Sequence, residues 1–140
     1  MNNPDDTRLM DAPLCISSGK PGYKKSHMNH PMAKWMRHSR GNYRFAVRLA
    51  AALCLEFKFR YGKYHACTDH VLWLSINIPH FDKLGMTPVP QCMPDEYKVD
   101  GDSVQAYRNY YIGAKHSFAT WKCRDIPPWW KISVCSNEDK

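Results

Sequence analysis

The stretch GNYRFAVRLAAALCLEFKFRY, residues 41–61, decides the fold of this 140-residue chain. Its apolar side chains recur at intervals of three and four residues, which is the period of an α-helix with one buried face. The repeating positions are Tyr43, Val47, Ala50, Leu53 or Cys54, Phe57 and Tyr61. Gly62 follows, and glycine readily takes the left-handed conformation that ends a helix. The pattern therefore predicts one long amphipathic helix over 41–61.

Shorter helices are predicted on both sides of it. Asn29, a good capping residue, stands before Pro31, and this order favours a helix over 31–38. A further helix is expected to begin at Thr68, capped by its own hydroxyl, and to stop before Pro79. A last helix follows Asp102 or Ser103 as its cap and keeps Val104, Tyr107, Tyr111, Ala114, Phe118 and Trp121 on one face.

The remaining segments are rich in proline and glycine. Four prolines between 79 and 101 forbid a continuous helix there, so we expect a long loop that is functional or packed across a neighbouring element. Residues 1–28 are expected to be a loosely ordered basic arm, 29–131 a helical domain and 132–140 a tail. The predicted fold is a mainly α single domain of three to four helices with long irregular loops.

Composition excludes several classes of protein. No apolar run approaches the roughly 20 residues that a membrane-spanning helix needs, so no membrane association is expected. The first residues lack a basic segment followed by an apolar one, which excludes a signal peptide and predicts a cytoplasmic location. The six cysteines are then expected as reduced thiols.

Positive charge is concentrated in one part of the chain. Twenty Lys and Arg against thirteen Asp and Glu give a net charge of +7. Between Lys20 and Lys63 the only acid is Glu56, which is expected to pair with Arg60 one helical turn away. Such a cationic face indicates a polyanion site, usually nucleic acid, although a solvated basic face is the alternative.

Two basic stripes are predicted on the helices. Arg40, Arg44 and Arg48 step by four, which places them on one side of the long helix within about 12 Å. Their mutual repulsion is either relieved by a bound anion or simply tolerated, and the bound anion is the preferred interpretation. Arg108, Lys115 and Lys122 recur every seven residues on the last helix, among tyrosines and tryptophans of the kind that stack on bases. For Trp129 and Trp130, closure of the core is the preferred interpretation.

Motifs for metal and cofactor chemistry are weak. His27 with His30, or His65 with Cys67 and His70, lack the paired spacings of zinc sites, and no phosphate-binding loop or serine-hydrolase motif occurs. We predict neither a metal nor a cofactor. The adjacent acids Asp95 and Glu96 could bind an arginine or a metal, but after Pro94 they are better explained as the start of a helix.

Three segments of the chain, taken together, resemble a family of phage-encoded proteins. They read HPMAKWMRHSRGNYRFAVRLAAALCLEFKFRYGKYH, LGMTPVPQCMPDEYK and AYRNYYIGAKHSFATWKCRDIPPWW, and they span roughly residues 29–130. That family is distantly similar to the pyrimidine-dimer DNA glycosylases of the phage endonuclease V type. The resemblance implies a DNA N-glycosylase and AP lyase that acts on duplex DNA in base-excision repair within the host cell.

The resemblance assigns no catalytic residue. Residues 1–28 show no counterpart of the acid-bearing first helix of those enzymes, so the N-terminal catalytic part is expected to be missing. The expected DNA contacts are Arg37, Arg40, Arg44, Arg48, Lys63, Arg108, Lys115 and Lys122. The alternative is a non-catalytic module that binds nucleic acid or docks on a phage or host protein, through an exposed apolar patch around Trp129 and Trp130. A monomer is expected in either case.

Overall fold

The computed structural model describes residues 23–130. This part of the chain is helical and contains no strand, which confirms the mainly α prediction. Its elements are α1 (Pro31–His38), α2 (Arg40–Tyr61), α3 (Thr68–Ile76), a 3-10 turn at Asp95–Tyr97 and α4 (Ser103–Ala114). The chain divides into two compact units between Thr87 and Pro88, inside the predicted loop. The greater part of the predicted arm, residues 1–22, and the tail lie outside the described residues.

The long helix α2 forms as predicted and is capped at both ends. Ser39 is its N-cap, and the hydroxyl oxygen of Ser39 accepts a hydrogen bond from the backbone N–H of Asn42 at 3.2 Å. At the other end Gly62 adopts φ 69° and donates its N–H to the Lys58 carbonyl at 2.8 Å. A residue with a side chain is strained at this φ, which is why the glycine ends the helix there.

The caps of the two short helices differ from those predicted. His30, rather than Asn29, caps α1, because its Nδ1 accepts from the Met32 N–H at 3.1 Å. His30 directly precedes Pro31, and the residue before a proline is held in the extended conformation that an N-cap requires. Thr68 begins α3 as predicted but does not cap it: Cys67 is the N-cap, and the buried Thr68 hydroxyl has no partner among the described residues.

The core of the first unit lies between α2, α3 and the chain that follows α3. Tyr43, Val47 and Phe81 are its buried members, and Met36, Val71, Leu74 and Ile78 pack against them. The Tyr43 hydroxyl donates to the carbonyl of Leu74 and lies 3.2 Å from that of Asn77. This contact ties the end of α3 to the first turns of α2.

The loop after the core closes over the junction of α1 and α2. Asn42 is fully buried, and its Nδ2 donates to the Trp35 carbonyl at 2.9 Å and to the Thr87 hydroxyl at 2.8 Å. Its Oδ1 accepts from the Thr87 N–H at 2.8 Å. Gly41 packs so closely that a Cβ at this position would lie 2.7 Å from the backbone nitrogen of Met86. The predicted packing of this loop across a neighbouring element is confirmed.

The outward side of α2 is also apolar. Phe45, Leu49, Leu55 and Phe59 are exposed, and Leu53 is 62% exposed. Of the two predicted alternatives for the buried face, Leu53 or Cys54, the structure therefore selects the half-buried Cys54. Apolar residues occur on both sides of this helix, so periodicity alone does not select the buried side.

The second unit is built from α4 and the chain that precedes it. Asp102 caps α4 as predicted, since its Oδ1 accepts from the Gln105 N–H at 3.0 Å. The Tyr107 hydroxyl donates to the Pro90 carbonyl at 3.0 Å and accepts from the Cys92 N–H at 3.3 Å. Ala106 is buried, so this second half of the predicted loop also packs on a helix.

The predicted extent of α4 was wrong. The helix ends at Ala114, with Lys115 as its C-cap, and does not reach Trp121. Beyond it the chain turns around Lys115, whose carbonyl accepts from the N–H groups of Phe118 and Ala119. Gly113, a weak helix former, precedes this end. Within residues 23–130, no helix is long and apolar enough to cross a membrane.

Candidate nucleic-acid interface

An arginine row, Arg40, Arg44 and Arg48, occupies one side of α2. All three side chains are exposed, and they follow one another at intervals of one helical turn. None of them forms an ion pair with a carboxylate in the part of the chain that the structure describes. The row therefore presents three uncompensated positive charges along about 12 Å of helix.

A cavity of about 260 Å³ lies beside the arginine row, between α2 and the end of α3. Its lining consists of Tyr43, Arg44, Val47, Arg48, Ser75 and Ile78. Tyr43 and Val47 are buried and form its inner part, whereas the exposed arginines form the part that faces solvent. The cavity is thus apolar inside and cationic at the solvent side.

The chemistry of the inner wall is neutral. Burial raises the pKa of Tyr43 to about 12, so its hydroxyl stays protonated at physiological pH. The hydroxyl donates this proton in a hydrogen bond to the Leu74 carbonyl. The Ser75 hydroxyl donates to the Leu72 carbonyl at 2.7 Å, which leaves its oxygen available only as an acceptor. The net charge of the lining therefore comes from Arg44 and Arg48.

The one acid on α2 does not neutralise the row. Arg60 donates from Nε to Oε1 of Glu56 at 2.8 Å, so the predicted pair is confirmed. Glu56 lies eight residues, or about 12 Å of helix, beyond Arg48.

Two predicted contacts in the first unit lie in different environments. Arg37 is only 7% exposed, and its Nη2 donates to the Met28 carbonyl at 2.8 Å. Its Nε is buried without a partner among residues 23–130. This guanidinium holds the chain before α1 and is not available to a phosphate. Lys63, by contrast, is exposed just beyond Gly62.

The predicted cations of the second unit lie on aromatic rings. The Arg108 guanidinium carbon is 5.6 Å from the ring centre of Trp129. Lys115 Nζ is 5.2 Å from the ring centre of Tyr110 and 5.4 Å from that of Phe118. Because α4 ends at Ala114, Lys115 and Lys122 lie outside it, and the prediction of a stripe along one helical face was wrong.

The tryptophans near the end of the described chain pack on one another. Trp121 contacts Trp129 and Trp130 with ring centres 6.0 and 5.6 Å apart, and Tyr111 lies beside them. Trp129 and Trp130 are half-buried. This arrangement agrees with closure of a core, and these two rings do not form the exposed patch expected for a protein-docking module.

Candidate metal ligands on and before α3 contact other groups of the protein. The Nδ1 atom of His65 accepts from the Cys67 N–H at 3.1 Å, and His70 lies 4.8 Å from the ring of Tyr23. Residues 23–130 contain no group of three or more His, Cys, Asp or Glu that could hold a metal ion. No disulfide joins the cysteines in the same range.

The acids after Pro94 form the predicted helical start. Asp95 begins a 3-10 turn, and its Oδ1 accepts from Lys98 Nζ at 2.7 Å. This contact lowers the pKa of Asp95. The structural interpretation of these acids is confirmed.

Comparison with models of known protein families, with curated proteins and with solved structures finds no match to this chain. The resemblance to the phage glycosylases therefore depends on the quoted motifs alone. Sequence reasoning identified the arginines but missed the cavity beside them. The repeated pairing of an inward residue with a following arginine, Tyr43 with Arg44 and Val47 with Arg48, is the signal that could have found it.

Proposed function

We propose that the protein binds duplex DNA through the sugar–phosphate backbone, with the arginine row as the main contact. The observation that carries the proposal is the alignment of three exposed arginines with no carboxylate partner among the described residues. Lys63, which follows the opposite end of α2, is a separate candidate contact. The three arginines carry no base-reading geometry, so binding is expected to be tolerant of sequence.

The energetics of α2 support an anionic ligand. Like charges at a spacing of four residues destabilise a helix by about 0.2–0.5 kcal/mol for each pair. The row contains two such pairs, so the unbound helix loses about 0.4–1 kcal/mol. Phosphates at the row replace this repulsion with attraction. Duplex DNA supplies one negative charge for each 1.7 Å or so of its axis, which is dense enough to meet all three arginines.

The second unit offers a different kind of contact. Its cations lie over aromatic rings, and Phe118 beside Lys115 is 62% exposed. Cations with exposed aromatic rings bind phosphates and stack on unpaired bases. This unit is therefore proposed to add affinity for DNA in which bases are unstacked.

A salt titration tests the proposal. Binding of a fluorescent duplex is measured by anisotropy at increasing salt concentration. Neutralisation of three phosphates should give a slope of about −2.7 in a plot of log affinity against log salt concentration. Weak binding that does not change with salt concentration would contradict the proposal.

The resemblance also supports a second candidate, the glycosylase and lyase activity. That chemistry needs an amine nucleophile and a carboxylate that stabilises the sugar cation. The carboxylate on α2, Glu56, is already paired with Arg60. The test is incubation with ultraviolet-irradiated DNA: strand nicking together with a borohydride-trapped covalent adduct would establish the enzyme, and salt-dependent binding without either would leave a binding module.

A further inference from the structure

Only two of the three arginines in the row line the neighbouring cavity. Arg44 and Arg48 line the cavity, whereas Arg40 does not. Two positive charges one helical turn apart therefore face a single cavity that is partly open to solvent, while the third faces only the surface. A continuous DNA backbone that passes over the row would contact the three arginines at the surface and would not need to enter the cavity.

The size and charge of the cavity restrict its ligand. At about 260 Å³ it is smaller than the roughly 300–1,000 Å³ of pockets that bury a drug-sized molecule. It can hold one small group rather than a large cofactor. Two guanidinium groups favour a dianion over a monoanion, and a phosphate monoester carries about −1.5 to −2 charges at pH 7. A phosphodiester inside a strand carries only one.

The inner wall indicates what is attached to the phosphate. Val47, Ile78 and the ring of Tyr43 provide an apolar surface, and the Ser75 oxygen remains an acceptor. A sugar fits this combination, because its carbon face is apolar and its hydroxyl can donate a hydrogen bond to Ser75. The lining contains no carboxylate that would repel a phosphate.

We propose that this cavity binds the terminal phosphate monoester of a nucleic-acid strand, with the attached sugar against Val47 and Ile78 and the phosphate between Arg44 and Arg48. The inference rests on the proposed binding of DNA and adds a preference for strand ends and nicks that carry a phosphate. A free nucleotide has the same chemistry, but only a strand also reaches Arg40.

The experiment compares oligonucleotides that differ only in their 5′ end, or only in their 3′ end, each carrying phosphate or hydroxyl. Anisotropy should show binding about tenfold tighter for one phosphorylated form, as expected for charge-assisted hydrogen bonds to a dianion. Thymidine monophosphate should compete for this preference more weakly than the phosphorylated strand does, and thymidine should not compete.

Matched variants separate the cavity from the row. Arg48→Gln should abolish the preference for phosphate, whereas Arg40→Gln should weaken binding of both oligonucleotides and preserve their ratio. Ser75→Asp places a negative charge in the cavity from an exposed position and should also abolish the preference. Circular dichroism and thermal unfolding confirm that each variant is folded.

Three outcomes would overturn the inference in distinguishable ways. Equal affinity for phosphate and hydroxyl ends, with salt-dependent DNA binding intact, would overturn the cavity proposal and leave the proposed function in place. Thymidine monophosphate binding as tightly as the phosphorylated strand would assign the cavity to a free nucleotide instead. Loss of all salt-dependent DNA binding would overturn both proposals.

Discussion

Replacement of the central arginine of the row, Arg44→Gln, should raise the stability of the protein while it lowers DNA affinity. Arg44 repels Arg40 on one side and Arg48 on the other, so its removal deletes both like-charge pairs. At about 0.2–0.5 kcal/mol for each pair, the free energy of unfolding should increase by about 0.4–1 kcal/mol at low salt. Arginine and glutamine have similar helix propensities, so little is lost in the helix itself.

The same substitution removes one phosphate contact. The slope of log affinity against log salt concentration should change from about −2.7 to about −1.8. Between 50 and 200 mM salt, the wild-type protein should lose about 40-fold in affinity and the variant about 12-fold. Urea unfolding at low ionic strength measures the stability, and anisotropy with a labelled duplex measures the slope.

Two controls isolate the effect of position. Lys98→Gln removes the same charge from an exposed lysine that is paired with Asp95, and it should leave the salt slope unchanged. Leu53→Gln changes the exposed apolar side of α2. It should leave the salt slope unchanged and should change the free energy of unfolding by no more than about 0.5 kcal/mol. If Arg44→Gln destabilises the protein, or if its slope equals that of the wild type, the reasoning about the row is refuted.

Further substitutions test the packing that holds the row in place. Gly41→Ala should destabilise the protein by about 1–3 kcal/mol in urea unfolding, because the new Cβ would lie 2.7 Å from the backbone nitrogen of Met86. A gain in stability, as expected when alanine replaces glycine at an open helical site, would show that the Met86 backbone moves to accommodate the Cβ. Asn42→Ala should cost about 2–4 kcal/mol, because the buried Asn42 side chain loses three hydrogen bonds to Trp35 and Thr87; a cost below about 1 kcal/mol would contradict their importance. Tyr43 has a pKa of about 12 in the folded protein against an ordinary 10.0, so its contribution to stability is complete below pH 10 and is lost as the pH rises through 12. The wild type should therefore lose more stability than Tyr43→Phe between pH 10 and 12, and parallel curves for the two proteins would refute the shift.

Features set by neighbouring residues could be read from the sequence. The end of α2 at Gly62, the Asp102 cap and the Glu56–Arg60 pair all depend on groups within four positions of one another. The alignment of the arginine row follows in the same way from the geometry of one helix. These features form without contacts to another helix or loop.

Other features required the rest of the chain. Helix α2 carries apolar residues on both of its sides. Which side is buried, and so whether Cys54 or Leu53 lies on the inner side, depends on where α3 and Phe81 pack. Arg37 is cationic in the sequence but is buried because its guanidinium meets the Met28 carbonyl. The cavity exists only because the end of α3 brings Ser75 and Ile78 beside two arginines on another helix. Local spacing determines which side chains share a helix face, whereas burial and enclosure depend on contacts between segments distant in sequence, and those are set by tertiary packing.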